Sequence, residues 1–120
     1  MVEKVVGISA LDIIKHQLED IFRISDWWHK FVRDEITADE FWKVLLEPSF
    51  SAEVRAKWLP EEKDLFLKIA SDIRRLREYV LKYREGKVKF SELVDVYREL
   101  MKNIEKLEKI YAEMAKPGEE

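Results

Sequence analysis

The sequence predicts an all-α protein: an antiparallel bundle of three long helices and two short ones, with a heptad-patterned C-terminal α-hairpin. Two apolar stripes and the break between them predict it. Phe66, Ile69, Ile73, Leu76, Val80 and Tyr83 recur in steps of three and four residues. Leu93, Tyr97, Leu100, Ile104, Leu107, Tyr111 and Met114 do the same. That is the apolar period of packed helices. Between the stripes, Glu85-Gly86-Lys87 supplies a helix stop. No segment reads as a strand, and residues 1–8 are expected to form an N-terminal arm.

Helix one is expected to start at Ser9, with Asp12 three residues on as a capping acid. Its stripe runs Leu11, Ile14, Leu18, Ile21, Ser25, Trp28 and Val32. Phe22, Ile24, Trp27 and Phe31 add apolar surface off that stripe. A helix apolar on more than one side must be buried on more than one side. Helix one is therefore expected to sit centrally or to contact a second chain through those four residues.

Thr37-Ala38-Asp39-Glu40 has the spacing of a capping box and opens helix two, which carries Phe41, Trp42, Leu45 and Leu46. Pro48 is expected to end it, because the residue before proline is pushed out of the α region. Ser51 then caps a short third helix through Val54 and Trp58. The short pair also has to bury Phe41, Trp42, Leu45, Leu46, Val54 and Trp58, and is expected to close one end of the bundle. Pro60 suits the first turn of helix four, where Glu61, Glu62 and Asp64 complement the positive end. Gly86 ends that helix, Ser91 caps helix five, and Lys116-Pro117-Gly118 breaks it. Residues 117–120 are expected to be a disordered tail on a single domain spanning 1–120.

One antiparallel register satisfies the whole hairpin seam. It pairs Tyr83 with Leu93, Val80 with Tyr97, Leu76 with Leu100, Ile73 with Ile104, Ile69 with Leu107, and Phe66 with Tyr111.

Composition narrows the function classes. The 120 residues are 47% hydrophobic and 39% charged, a globular balance. Net charge is −3, which argues against bulk electrostatic attraction to DNA or an anionic membrane. With no cysteine there is no disulfide, thiolate metal site or cysteine nucleophile. No window approaches the roughly 18 apolar residues of a membrane span, and the first residues lack a signal-peptide core. The expectation is a cytoplasmic protein. Gln17 and Asn103 are the only side-chain amides, a depletion that suits a thermophilic source.

Residues that could carry chemistry are few. His16 has Asp12 and Asp20 four residues to either side, and Asp26 precedes His29 by three. Thirteen residues at about 100° each set the two histidines on nearly opposite faces of one helix, so they do not share a metal. No metal site and no cofactor is expected. Arg23 and His29 form an R-x5-H spacing that resembles the R-x4-6-H motif of the HEPN ribonucleases, which are also small helical bundles. The resemblance implies His29 as general base and Arg23 on a phosphate, in a cleft between two chains. A basic cluster of Arg74, Arg75, Arg77, Lys82, Arg84, Lys87 and Lys89 crowds helix four and the hairpin tip, with Tyr79 and Tyr83 nearby for base stacking.

No nucleophile–base pair, glycine-rich phosphate loop or carboxylate dyad is present. The sequence therefore points to a small non-enzymatic interaction or scaffold protein, self-associating through helix one or binding another helical protein. The alternative is a nucleic-acid-binding or HEPN-like ribonuclease bundle using Arg23 and His29 or the basic hairpin.

Overall fold

The computed structural model describes residues 9–115; the expected arm and tail lie outside them. It contains five α-helices: α1 (Ala10–Val32), α2 (Ala38–Val44), α3 (Leu46–Trp58), α4 (Lys63–Arg84) and α5 (Phe90–Met114). A short 3₁₀ turn, Pro60–Glu62, leads into α4. There is no strand among the described residues. The body measures 52 × 26 × 23 Å.

Local chemistry explains several helix ends. Ser9 accepts from the Asp12 amide at 3.1 Å and caps α1. Thr37 and Glu40 form the reciprocal capping box of α2. Two helices end alike. In α1, the Glu35 amide reaches back to the Lys30 carbonyl at 2.8 Å, with Asp34 at φ 61. In α4, the Lys87 amide reaches back to the Lys82 carbonyl at 2.8 Å, with Gly86 at φ 76. Both are Schellman ends, which need a left-handed residue just past the helix.

Three boundaries differ from the sequence expectation. Helix two does not run to Pro48; it stops at Leu45, and Pro48 lies in the first turn of α3. First-turn amides have no intrahelical partner, so proline is tolerated there. Ser51 consequently sits inside α3 rather than at its cap. Helix five starts one residue before Ser91, and the Glu92 carboxylate accepts from the Lys89 amide at 2.8 Å.

Helices α2 and α3 do not merely close one end. They line up into one interrupted rod that packs along α4, while α5 packs on α4 and on α1. Chain neighbours are thus spatial neighbours, and α5 closes back on α1. The result is an up-down-up-down bundle of four rods. Helix α1 is not the central element; it lies diagonal to α4, without close backbone approach.

The core runs the length of the bundle. Ile14, Ile21, Phe41, Leu45, Phe66, Ile69, Ile73, Leu76, Val80, Leu93, Leu100 and Leu107 are buried. The hairpin seam is therefore inside, except at its ends, where Tyr83 is exposed and Tyr111 half-buried. A buried polar contact crosses the seam beside Ile73 and Ile104. Asn103 Nδ2 donates to buried Asp72 Oδ2 at 2.5 Å, and Lys68 holds the other Asp72 oxygen at 2.6 Å.

Candidate interaction surface

Helix α3 is apolar on the side that faces solvent. Its inner face carries Ser49, Ala52 and Ala56, all buried. Small side chains let two backbones approach closely, and α3 makes its most extensive contact with α4, which offers the buried Ala70. Ser49 is satisfied by its own helix, donating to the Leu46 carbonyl at 2.7 Å.

The large residues point the other way. Leu46, Phe50, Val54 and Trp58 are 41%, 54%, 43% and 57% exposed. They stand at four-residue intervals, so they form one ridge along the outer face. Isolated exposed apolar residues need no explanation, but a contiguous stripe of four does. The expectation that the short helices bury Leu46, Val54 and Trp58 is corrected; only Phe41 and Leu45 are fully buried, and Trp42 partly. Rotating α3 to bury Phe50 and Trp58 would force it away from α4 and lose the close small-residue contact.

A groove of about 440 Å³ borders the ridge between α3 and α4. Trp42, Leu46, Phe50 and Leu81 supply its apolar walls, with Arg74 and Arg77 above. Arg77 lies over the Trp42 ring at 3.8 Å and donates to the Trp42 carbonyl at 2.9 Å. Arg74 pairs with Glu53 at 2.7 Å. The rest of the ridge is flanked by exposed Glu47 near its start and exposed Lys57 near its end.

The four interface residues expected on helix one do not form a comparable face. Ile24 and Phe31 are buried in the core of the single chain. Trp27 is half-buried, with the Lys30 ammonium 5.0 Å over its ring. Phe22 is half exposed and stands apart from any stripe. The α2–α3 rod covers Ile24 and Phe31 on the second side of α1.

The Arg23–His29 spacing does not converge. Arg23 pairs with Asp20 and lines a polar cleft between α1 and the α2–α3 rod. His29 lies outside that cleft, with Nδ1 2.7 Å from the Ser25 carbonyl. Asp20 is turned inward and also accepts from Arg55 at 2.8 Å, so it is not beside His16; His16 contacts Glu19 at 3.2 Å instead. Among the described residues no group of acids and histidines could hold a metal ion.

The basic cluster is dispersed. Arg84 pairs with Asp39, Lys82 with Glu78, and Lys87 with Glu85. Arg75 lies over the Tyr79 ring, in a recess with Glu92, Asp95 and Glu99. Lys89 caps α5 through its backbone. Acids thus interleave with these cations along α4 and the hairpin tip.

Burial raises the Tyr97 pKa above its ordinary value, Asp26 adds to the rise, and a hydrogen bond to Ser25 opposes it. The exposed Arg33–Glu35 pair holds Glu35 below the usual carboxylate range, through the hydrogen bond first. Neither group lies in a cleft with a reactive partner. Among the described residues no helix is long and apolar enough to cross a membrane. Comparison with protein-family models, curated proteins and solved structures gives no match to this chain.

Proposed function

We propose that the protein is a small non-enzymatic interaction module whose docking face is the outer ridge of α3. The observation that carries this reading is the inverted helix: Ser49, Ala52 and Ala56 inside, Leu46, Phe50, Val54 and Trp58 outside. A ridge of two aromatic and two aliphatic side chains matches the composition of interface anchors, in which large aromatics dominate. Helix-in-groove recognition uses apolar residues one turn apart. The face differs from the helix-one surface expected from the sequence.

The test is site-specific photo-crosslinking in cells, with a benzophenone side chain at position 50 or, as control, at position 22. A discrete adduct from position 50 and none from position 22 supports the reading. No adduct from position 50 overturns it. An adduct from position 22 alone returns the contact to α1.

A further inference from the structure

We propose that the cleft between α1 and the α2–α3 rod binds a small organic phosphate, a monoester with an apolar, ring-bearing body. The cleft lies apart from the α3 ridge, and the proposal does not rest on the reading of that ridge as a docking face.

Two arginines converge on one acid there. Arg23 holds one oxygen of Asp20, and Arg55 Nη1 holds the other at 2.8 Å. The two guanidinium groups thus carry two positive charges against one carboxylate. The Arg55 side chain is only 18% exposed, so its charge has lost much of its water. Lys43 and Glu47 enter the cleft from the rod, and the five groups together leave an excess of one positive charge.

Acceptors are short as well. Nη1 makes both contacts of Arg55, to Gln17 and to Asp20, and Nε and Nη2 have no acceptor among the described residues. Gln17 stands on the same face of α1, one turn before Asp20, and turns its Oε1 to Arg55 at 2.9 Å. Its buried Nε2 has no partner. A buried donor without an acceptor is costly, and donors outnumber acceptors throughout this network. An anion in the cleft supplies both the charge and the acceptors that are lacking.

Shape and lining choose the kind of anion. The cleft holds about 470 Å³, within the range of small-molecule sites. Half-buried Trp27 and Val44 give it an apolar wall, and Ser51 adds a hydroxyl. The ligand is therefore charged at one end and apolar at the other. A carboxylate has two oxygens, the role that Asp20 already fills. A phosphate monoester has three terminal oxygens and can meet Arg23, Arg55 and Lys43 together, with a guanidinium fork on two of them. Glu47 is the acid that opposes it.

Calorimetry and tryptophan fluorescence on the full chain test this, with phenyl phosphate as the probe. One molecule binds per chain, with Kd below about 1 mM. Arg23→Ala and Lys43→Ala, both at exposed positions, each weaken binding several-fold with unchanged helicity. Glu47→Gln tightens it several-fold, and Trp27→Phe removes the fluorescence change. Phenol and benzoate each bind at least tenfold more weakly than the probe. Absence of saturation at about 10 mM phenyl phosphate overturns the proposal. So does phenol binding as tightly as the probe, or binding that neither Arg23→Ala nor Lys43→Ala weakens. Benzoate binding as tightly as phenyl phosphate overturns the assignment to a phosphate. Arg55→Met also loses binding, and the two exposed cations keep the test decisive where that variant fails to fold.

Discussion

Trp28 of α1 and Tyr97 of α5 lie ring on ring, their centroids 4.2 Å apart and their planes within 5° of parallel. Phe31, Phe41 and Phe90 pack around Trp28, and Tyr83 closes the group against Phe31 and Phe90. The Tyr97 hydroxyl donates to Ser25 Oγ at 3.1 Å. This aromatic stack joins the first and last rods, which no short loop connects.

Tyr97 makes stability depend on alkaline pH. Its folded pKa is raised above 10.0, chiefly by burial. The folded state therefore holds the phenolic proton more tightly than the unfolded chain. The stabilisation is complete below the unfolded pKa and is lost as pH rises through the folded one. Tyr97→Phe is expected to flatten the fall in melting temperature above about pH 10. At pH 7 the loss of the hydroxyl contact is expected to cost about 0.5–1.5 kcal/mol. Denaturant melts of both proteins across pH 7–11.5 check it; equal slopes above pH 10 would disprove the assignment.

The Asp72–Asn103 pair is expected to specify the hairpin rather than to strengthen it. Asn103→Leu strips buried Asp72 of one partner and should destabilise by about 1–3 kcal/mol. Replacing both residues by leucine should recover most of that loss, since an apolar pair of similar size often matches a buried polar one. A double variant as unstable as the sum of the singles would contradict this reading.

Arg55 ties α3 to α1. Its Nη1 donates to Gln17 Oε1 at 2.9 Å and to Asp20 Oδ2 at 2.8 Å. Arg55→Met should cost about 1–3 kcal/mol, because Asp20 and Gln17 stay buried. Arg23 also pairs with Asp20 but is mostly exposed, so Arg23→Ala should shift stability by no more than about 0.5 kcal/mol. Urea midpoints rank the two; a larger loss for Arg23→Ala would sink the argument.

The two Schellman ends make opposite predictions. Gly86 has open space where a Cβ would stand, so Gly86→Ala should destabilise through backbone strain alone, by about 1 kcal/mol. Asp34 already bears that strain at φ 61, and Asp34→Gly should stabilise by a few tenths to about 1 kcal/mol. Thermal midpoints that move in the same direction for both would refute the account.

The five helices, the caps at Ser9 and Thr37, the stop at Gly86 and the buried residues of the hairpin seam were legible in the sequence. Those features depend on local spacing: Thr37 with Glu40, Gly86 after Arg84, and leucines returning every three to four positions. It misjudged α3, because a helix whose apolar residues cover most of its circumference does not announce which side will be inside. Packing against the neighbouring helices settles it. Close approach to α4 selected Ser49, Ala52 and Ala56 for the interior and turned Phe50 and Trp58 outward. Likewise, the off-stripe position of Ile24 and Phe31 suits a second chain on spacing alone, and it is the α2–α3 rod of the same chain that covers them. Arg23 and His29 were near in sequence, but helical rotation kept them in different surroundings. Periodicity sets where apolar groups stand on a helix; the size of its neighbours' side chains sets which of them are buried.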